Sequence, residues 1–235
     1  MLSQLFLVDS EFSPSGLASV PSASLSMLSL KNCNIDDSYT KVLAGFKNLK
    51  SLYLFDNPGF SDASVEPLTK LEFIEGLDYS GTGVSGKSLK YFVRYKKLWA
   101  LQLTRLKLDD ESIADLAKCR LLRILGMARS GLTDKSAQSF SKLSGLPSLA
   151  NLNLAGNELG DSVVEVLSKY PSLSTLDLSE TKVSARGLAK LVGLSSLKAL
   201  HLYGCRLSPA EIESFRKARP DVRVTEQPVP VSSDY

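Results

Sequence analysis

The residues of the chain best suited to acid–base chemistry are its only histidine, His201, and the carboxylate of Asp177. An imidazole beside a carboxylate is a common general acid–base pair near neutral pH. Ser174 and Ser179 lie close to Asp177 in the sequence, but no motif marks either hydroxyl as a nucleophile. We therefore predict that the chain is not an enzyme, and that Asp177, Glu180, His201 and Tyr203 instead form a candidate surface for a basic partner.

Neither a metal site nor a cofactor site is predicted. The three cysteines, Cys33, Cys119 and Cys205, are odd in number and widely spaced, which fits neither a disulfide framework nor a set of metal ligands. We expect all three to be buried structural thiols. The glycines within 80–84 belong to a turn and do not form a phosphate-binding loop. Unpaired thiols, together with the lack of any Asn-x-Ser/Thr acceptor, favour a cytoplasmic location.

Composition narrows the class of partner. The 235 residues carry a net charge of +3, with 43% hydrophobic and 23% charged residues. This balance does not favour nucleic acid or an anionic membrane surface as the partner. No apolar run approaches the roughly 20 residues needed to span a bilayer. Another protein is therefore the expected partner.

The sequence is organised by a repeat of about two dozen residues. Residues 149–159 carry the spacing Leu-x-x-Leu-x-Leu-x-x-Asn-x-Leu. The first, fourth, sixth and eleventh positions are apolar or aromatic in all nine copies, once one extra residue is allowed in the third. Alternation at the fourth and sixth positions predicts a short strand, and the mostly small, polar ninth position predicts a turn. The repeats start at Leu2, Leu25, Leu49, Ile74, Leu98, Leu122, Leu149, Leu173 and Leu197.

The rest of each repeat predicts a helix that packs on the strands. A residue suited to the N-cap position follows the eleventh position, and apolar residues stand four and seven places after it. Val164 and Leu167 behind Gly160 are one example. Residues three apart share a helix face, so each repeat carries one apolar stripe. The predicted N-caps are Ser13, Asp36, Ser61, Ser85, Asp109, Thr133, Gly160, Ser184 and Ser208.

From residue 2 to about residue 224, these repeats resemble the leucine-rich-repeat family. The segments 132–134 and 181–188 are similar to the helical repeats of about 24 residues common in bacteria, and to the ribonuclease-inhibitor-like type. The resemblance implies an α/β fold, a right-handed solenoid with a parallel sheet on its concave face and helices on its convex face. It also implies protein recognition as the usual role, and it supplies no catalytic signature.

On such a fold, the side chains between the core positions point out of the concave face. One apolar group there comprises Phe6, Val8, Met27, Tyr53 and Phe55. Exposed aromatic side chains are typical anchors of interfaces. The alternative, equally supported by the sequence, is that Phe6 and Val8 pack against a preceding repeat that is missing.

A second, basic group on the predicted concave face comprises Arg105, Arg123 and Arg129, with Trp99 beside them. A partner rich in carboxylates or phosphates would suit these guanidinium groups. The alternative, which we favour, is an ordinary solvated rim of charged side chains.

The two ends of the predicted domain, 1–224, differ. Residues 222–224 predict a last short strand that closes the stack, and 225–235 predict a disordered tail. The first repeat begins at Leu2 without a capping segment. This suggests that the chain is a fragment of a longer protein, or that its first edge packs against a missing domain or a second copy.

Three functional hypotheses remain open on the sequence. The first is a protein-binding scaffold that recognises its partner through the concave sheet. The second is a regulator of an enzyme, such as an enzyme inhibitor or a GTPase activator, which would need an arginine such as Arg105 or Arg129 supplied in trans. The third is a structural spacer that uses its ends or its convex helices.

Overall fold

The computed structural model describes residues 2–228 and contains one ten-stranded parallel sheet. The strands pair in sequence order, as a solenoid of successive repeats requires. The segments that return the chain from one strand to the next all lie on the same side of the sheet, and each leads into the following strand. The strands are β1 (Gln4–Val8), β2 (Met27–Lys31), β3 (Ser51–Tyr53), β4 (Gly76–Asp78), β5 (Ala100–Gln102), β6 (Ile124–Gly126), β7 (Asn151–Asn153), β8 (Thr175–Asp177), β9 (Ala199–His201) and β10 (Arg223–Thr225).

The register of the strands aligns the leucines of the fourth position. Leu152 pairs with Leu176, and Leu176 pairs with Leu200. All three side chains are buried, in one core cluster that extends from Leu17 to Val222. The fold is therefore the α/β repeat solenoid that the spacing predicts, with its leucines in a shared interior.

In two repeats an asparagine at the ninth position hydrogen-bonds the backbone at the turn that follows the strand. Asn157 is buried, and its Oδ1 accepts hydrogen bonds from the backbone N–H groups of Ser130 at 2.9 Å and Leu132 at 3.1 Å. Its Nδ2 donates to the carbonyls of Met127 at 2.8 Å and Leu154 at 2.9 Å. Asn57 makes the equivalent set of bonds in the third repeat. One amide thus replaces the hydrogen bonds that backbone groups lose at a buried turn.

The eighth position adopts a left-handed backbone conformation in every repeat. This conformation costs a non-glycine residue roughly 1–2 kcal/mol, so its recurrence means that the turn demands it. The side chains at this position consequently form one row along the rim of the sheet. The row consists of Asp9, Asn32, Asp56, Gly81, Arg105, Arg129, Gly156, Glu180 and Gly204.

The return segments are α-helical in most repeats. In the fourth and fifth repeats the predicted helix is a 3₁₀ helix, which spans Gly86–Arg94 and Ser112–Lys118. Apolar residues three apart share a face in both kinds of helix, so their spacing does not distinguish the two. The α-helices are α1 (Pro14–Ala18), α2 (Thr40–Leu43), α3 (Asp62–Leu68), α4 (Ala137–Leu143), α5 (Asp161–Leu167), α6 (Ala185–Lys190) and α7 (Pro209–Ala218).

Most predicted N-caps make their capping bond, and α7 has a full capping box between Ser208 and Glu211. Asp109 is an exception, because the helix of the fifth repeat begins later, although the Asp109 Oδ1 still accepts from the Ser112 N–H at 2.8 Å. Several caps are also held by the preceding repeat. Asp161 Oδ1, for example, accepts from the Ser184 N–H at 2.9 Å.

The two ends of the solenoid differ in burial. At the first strand the inward-facing Leu5 and Leu7 are only partly buried, and Phe6 and Val8 are exposed. At the other end β10 extends to Thr225, one residue past the predicted closing strand. The predicted tail from 229 onward lies outside the described residues. No helix in the part described is long and apolar enough to cross a bilayer.

Candidate functional site

An aromatic patch covers the concave face of the first three strands. Phe6 and Val8 are 49% and 52% exposed on β1. The register places Phe6 and Tyr53 on either side of Ser29, which is itself buried. The five apolar residues that the sequence groups together therefore lie on three neighbouring strands. We define the aromatic patch as Phe6, Val8, Met27, Tyr53 and Phe55.

The inner edge of the aromatic patch is fixed by its neighbours. The Lys31 ammonium lies 5.4 Å from the centre of the Phe55 ring, within the range of a cation–π contact. The Tyr53 ring extends over Gly76, where a Cβ atom would lie 3.4 Å from the tyrosine hydroxyl. Phe55 and Tyr53 are thus half-buried but orientated, as suits a preformed contact surface.

The predicted basic group is divided by ion pairs. Arg105 binds Asp56 two repeats away, and the pair passes over Gly81. A Cβ atom at Gly81 would lie 2.6 Å from the Asp56 carboxylate and 3.0 Å from the Arg105 guanidinium, so a side chain there would displace the pair. Arg105 is therefore engaged by its own chain.

Arg129 forms a similar ion pair across two repeats, but its partner lies towards the C-terminal end of the solenoid. Its guanidinium lies 2.7 Å from Glu180, and its side chain crosses Gly156, where a Cβ atom would collide with it. Both arginines predicted as partner contacts thus have an intramolecular partner. Arg123 and Trp99 lie apart from these pairs, at the other rim of the sheet, where the strands begin.

Asp177 and His201 are neighbours in the sheet register. The Asp177 Oδ1 accepts from the Ser179 N–H at 2.9 Å, a turn-forming bond. Within 2–228, no hydrogen bond joins His201 to Asp177 or to the buried Ser179 hydroxyl. Tyr203 is 37% exposed beside them. Asp177, His201 and Tyr203 therefore form an open polar surface at the far end of the concave face, whereas Glu180, predicted in the same group, is bound to Arg129.

The central concave face contains one carboxylate that the sequence did not single out. Asp78 caps the Ser80 N–H through its Oδ1 at 2.8 Å. Burial raises the pKa of Asp78, the neighbouring Asp56 carboxylate adds to the rise, and the bonds from Ser80 oppose it. The repeated use of Asp or Asn at this position signals the capping role, but burial is visible only in three dimensions.

We expect Asp78→Asn to stabilise the protein at pH 7, because asparagine keeps the acceptor for Ser80 without a partly buried charge. A raised pKa in the folded state means that the carboxyl is destabilising once the pH rises through that pKa. The gain should thus vanish as the pH falls below about 4. A rise of roughly 2–4 °C in the melting temperature would correspond to about 1 kcal/mol.

The control for this prediction is Asp177→Asn. Asp177 makes the same capping bond, but Gly156 stands where Asp56 flanks Asp78, so we expect a smaller change. Thermal melts of both variants between pH 4 and pH 8 test the difference. Equal shifts for the two variants, or a gain from Asp78→Asn that persists in acid, would contradict the role given to Asp78.

The thiols are not activated. Cys33 and Cys119 are buried as predicted, and burial raises the pKa of Cys119 to about 11. The prediction of full burial is wrong for Cys205, which is partly exposed because only β10 and its neighbours cover the last repeat. Burial still raises the pKa of Cys205, so it stays a thiol at neutral pH. Residues 2–228 contain no group of three side chains able to hold a metal ion.

No protein-family model and no curated protein sequence matches the chain. Solved structures do match, among them an internalin (InlF) from Listeria monocytogenes, with 18% identity and a TM-score of 0.52. That likeness covers 88% of this chain and 68% of the internalin. Internalin C2 from the same organism matches with 18% identity and a TM-score of 0.53, over 80% of this chain and 84% of its own.

At this level of identity the comparison shows the fold alone. The solved relatives are leucine-rich-repeat proteins, and the ten parallel strands of this chain follow the same architecture. The subtype of the repeat, bacterial or ribonuclease-inhibitor-like, stays a prediction. The fold is thus an α/β leucine-rich-repeat solenoid.

Proposed function

We propose that the chain is a protein-binding scaffold whose partner lies against the concave face at the aromatic patch. The observation that supports this most strongly is the exposure of Phe6 and Val8 beside the orientated rings of Tyr53 and Phe55. An apolar surface of this kind gains free energy when a partner removes it from water. On the concave face of the central repeats, by contrast, Arg105 and Arg129 are already bound to Asp56 and Glu180.

The size of the concave face also favours a macromolecular partner. Ten strands at about 4.8 Å spacing give an arc of roughly 40 Å, which suits a protein surface better than a small molecule. Asp177, His201 and Tyr203 lie at the far end of this arc and would provide polar contacts at the edge of the same interface.

A pull-down with quantitative mass spectrometry tests the proposal. We expect Tyr53→Ala/Phe55→Ala to reduce recovery of the specific partner at least about tenfold, because an aromatic anchor contributes about 2 kcal/mol. The matched control is Tyr91→Ala/Val192→Ala, on the helical side of the solenoid. Unchanged recovery with the concave variant, or equal loss with the control, would exclude the aromatic patch as the interface.

The regulator hypothesis has less support. A GTPase activator that works through an arginine must extend this residue into the active site of its partner. Arg105 and Arg129 are bound to Asp56 and Glu180, so each would first have to leave its ion pair. An enzyme inhibitor would need no such arginine and would be a special case of the scaffold.

Two further parts of the proposal concern the cellular location of the protein and the exposed first edge of the solenoid. We infer a cytoplasmic location from the three unpaired thiols, each with a raised pKa. We also propose that the partly exposed edge at Leu5 and Leu7 packs against another domain or a second copy. Cell fractionation and size-exclusion chromatography, respectively, test these two inferences.

A further inference from the structure

The residue before the first position of each repeat marks the rim where the strands begin, which we call the strand-start rim. In several repeats this residue binds the preceding repeat. The Ser24 hydroxyl donates to the Leu2 carbonyl and the Asn48 amide to the Ala23 carbonyl, each at 2.7 Å. Ser172 and Ser196 make the corresponding bonds near the other end of the solenoid. A small polar side chain is thus the structural choice at this position.

Three consecutive repeats in the middle of the solenoid depart from this pattern. Phe73, Lys97 and Leu121 occupy the equivalent place in the fourth, fifth and sixth repeats. Phe73 is 41% exposed and Leu121 is 53% exposed, although a serine would serve the fold at either position. Large apolar side chains in water, where the fold prefers a polar one, indicate a surface kept for contact.

These side chains form one surface with their neighbours. The Trp99 N–H donates to the Glu75 carbonyl at 2.9 Å, and the Arg123 N–H donates to the Trp99 carbonyl at 2.8 Å, so Trp99 and Arg123 are adjacent. The Lys97 ammonium lies 4.5 Å from the centre of the Phe73 ring. We define the central rim patch as Phe73, Lys97, Trp99, Leu121 and Arg123.

The charge of the central rim patch indicates the chemistry of its partner. No carboxylate in 2–228 lies within ion-pair distance of Lys97 or Arg123, whereas the nearby Glu75 pairs with Lys50 at 3.6 Å. Lys96 and Arg120 directly precede Lys97 and Leu121 in the same two loops, and both are also exposed. The free charges of the patch are therefore positive, and they flank three exposed apolar side chains.

We propose that the central rim patch is a second docking surface, separate from the concave face, for an acidic polypeptide segment that also carries apolar side chains. Carboxylates of such a segment would meet Lys97 and Arg123, and its apolar side chains would cover Phe73, Trp99 and Leu121. Unlike a bilayer or a nucleic-acid backbone, a polypeptide is not uniformly anionic. It can therefore avoid Glu72 and Glu75, which lie on the same rim.

Trp99 is the only tryptophan of the chain, so its fluorescence reports on the central rim patch directly. The probe is a synthetic peptide of alternating glutamate and leucine, and a lysine–leucine peptide is its control. We expect a saturable blue shift of the emission with the acidic peptide alone, weakened at least about threefold in affinity at high salt. Vesicles of phosphatidylserine and phosphatidylcholine form a third arm of the titration.

Charge-reversed variants make the test specific. Lys97→Glu/Arg123→Glu should abolish the shift, and Lys87→Glu/Lys135→Glu, with the same change of charge at two exposed lysines at the starts of return-segment helices, should retain it. Tyr53→Ala/Phe55→Ala should also retain it, which separates this surface from the concave one. No shift at millimolar acidic peptide, a shift that survives in Lys97→Glu/Arg123→Glu, or a larger shift with anionic vesicles would overturn the proposal.

Discussion

We expect Asn157→Ala to lower the free energy of unfolding by about 3–5 kcal/mol, because it leaves several buried backbone groups without partners. The Asn157 side chain serves the N–H groups of Ser130 and Leu132 and the carbonyls of Met127 and Leu154. Water cannot replace these bonds without opening the turn between two repeats, since the site is buried. Urea denaturation followed by circular dichroism measures the loss.

Asn153→Ala is the matched control, four residues away in the same repeat. Asn153 is exposed, and its Oδ1 accepts one hydrogen bond, from the Ala155 N–H at 3.0 Å. We expect this variant to lose less than about 1 kcal/mol. A difference of under about 1 kcal/mol between the two variants would show that the buried amide is not what connects the repeats.

Asn157 also shows what the sequence can predict about this fold. A polar residue at the ninth position predicts a side chain that bonds the backbone at a turn, and the apolar columns around it predict the strands. Both depend on contacts at a fixed spacing within one repeat or between neighbouring repeats. Spacing of this kind is visible in a sequence, which is why the core of the solenoid could be predicted.

The kind of helix on the convex side could not be predicted in the same way. Leu89 and Phe92 are three residues apart, as are Ile113 and Leu116. This spacing fits one face of an α-helix and of a 3₁₀ helix equally well. The choice between the two depends on packing against the neighbouring helices. At Gly86, for example, any side chain would collide with Asp109 and Ser112.

The candidate site was only partly predictable. Arg105, Arg123 and Arg129 could be grouped from their predicted places on the sheet. The ion pairs of Arg105 and Arg129 could not be predicted, because each joins residues that are two repeats apart. Each pair crosses a glycine, Gly81 or Gly156, and the sequence has no direct sign of that geometry. The exposed Phe73 and Leu121 could have been recognised in the sequence, because other repeats have a serine or asparagine at the same position.

The second large effect is expected at the last repeat, from Arg219→Ala. The Arg219 side chain is almost fully buried, and its guanidinium donates to the carbonyls of Val192, Leu194 and Leu197 at 2.8–3.1 Å. It also binds Asp221 through two nitrogens, at 2.8 Å and 3.0 Å. These carbonyls lie between the helix of the eighth repeat and the start of the ninth, and the bonds to Leu194 and Leu197 are buried. We expect the variant to lose about 2–4 kcal/mol in urea denaturation.

The geometry of the guanidinium, more than its charge, should account for most of this loss. A lysine at position 219 keeps the charge but cannot donate in several fixed directions at once. We therefore expect Arg219→Lys to be nearly as unstable as Arg219→Ala. Arg216→Ala, which removes a more exposed ion pair with Glu226, should cost less than about 1 kcal/mol. Full recovery of stability with Arg219→Lys would show that charge alone holds this end.

At this end of the solenoid, the pH dependence of stability distinguishes the contribution of the Asp221 carboxylate from that of the backbone carbonyls. The two bonds from Arg219 hold the pKa of Asp221 well below its usual value of about 4. The stability that Asp221 contributes is thus present above its unfolded-state pKa and is lost only as the pH falls through the lower folded-state pKa. The difference between wild type and Arg219→Ala should be constant from pH 7 to pH 5 and decrease only in stronger acid. The carbonyls do not titrate, so part of the difference should persist there, and its complete disappearance would assign the whole effect to Asp221.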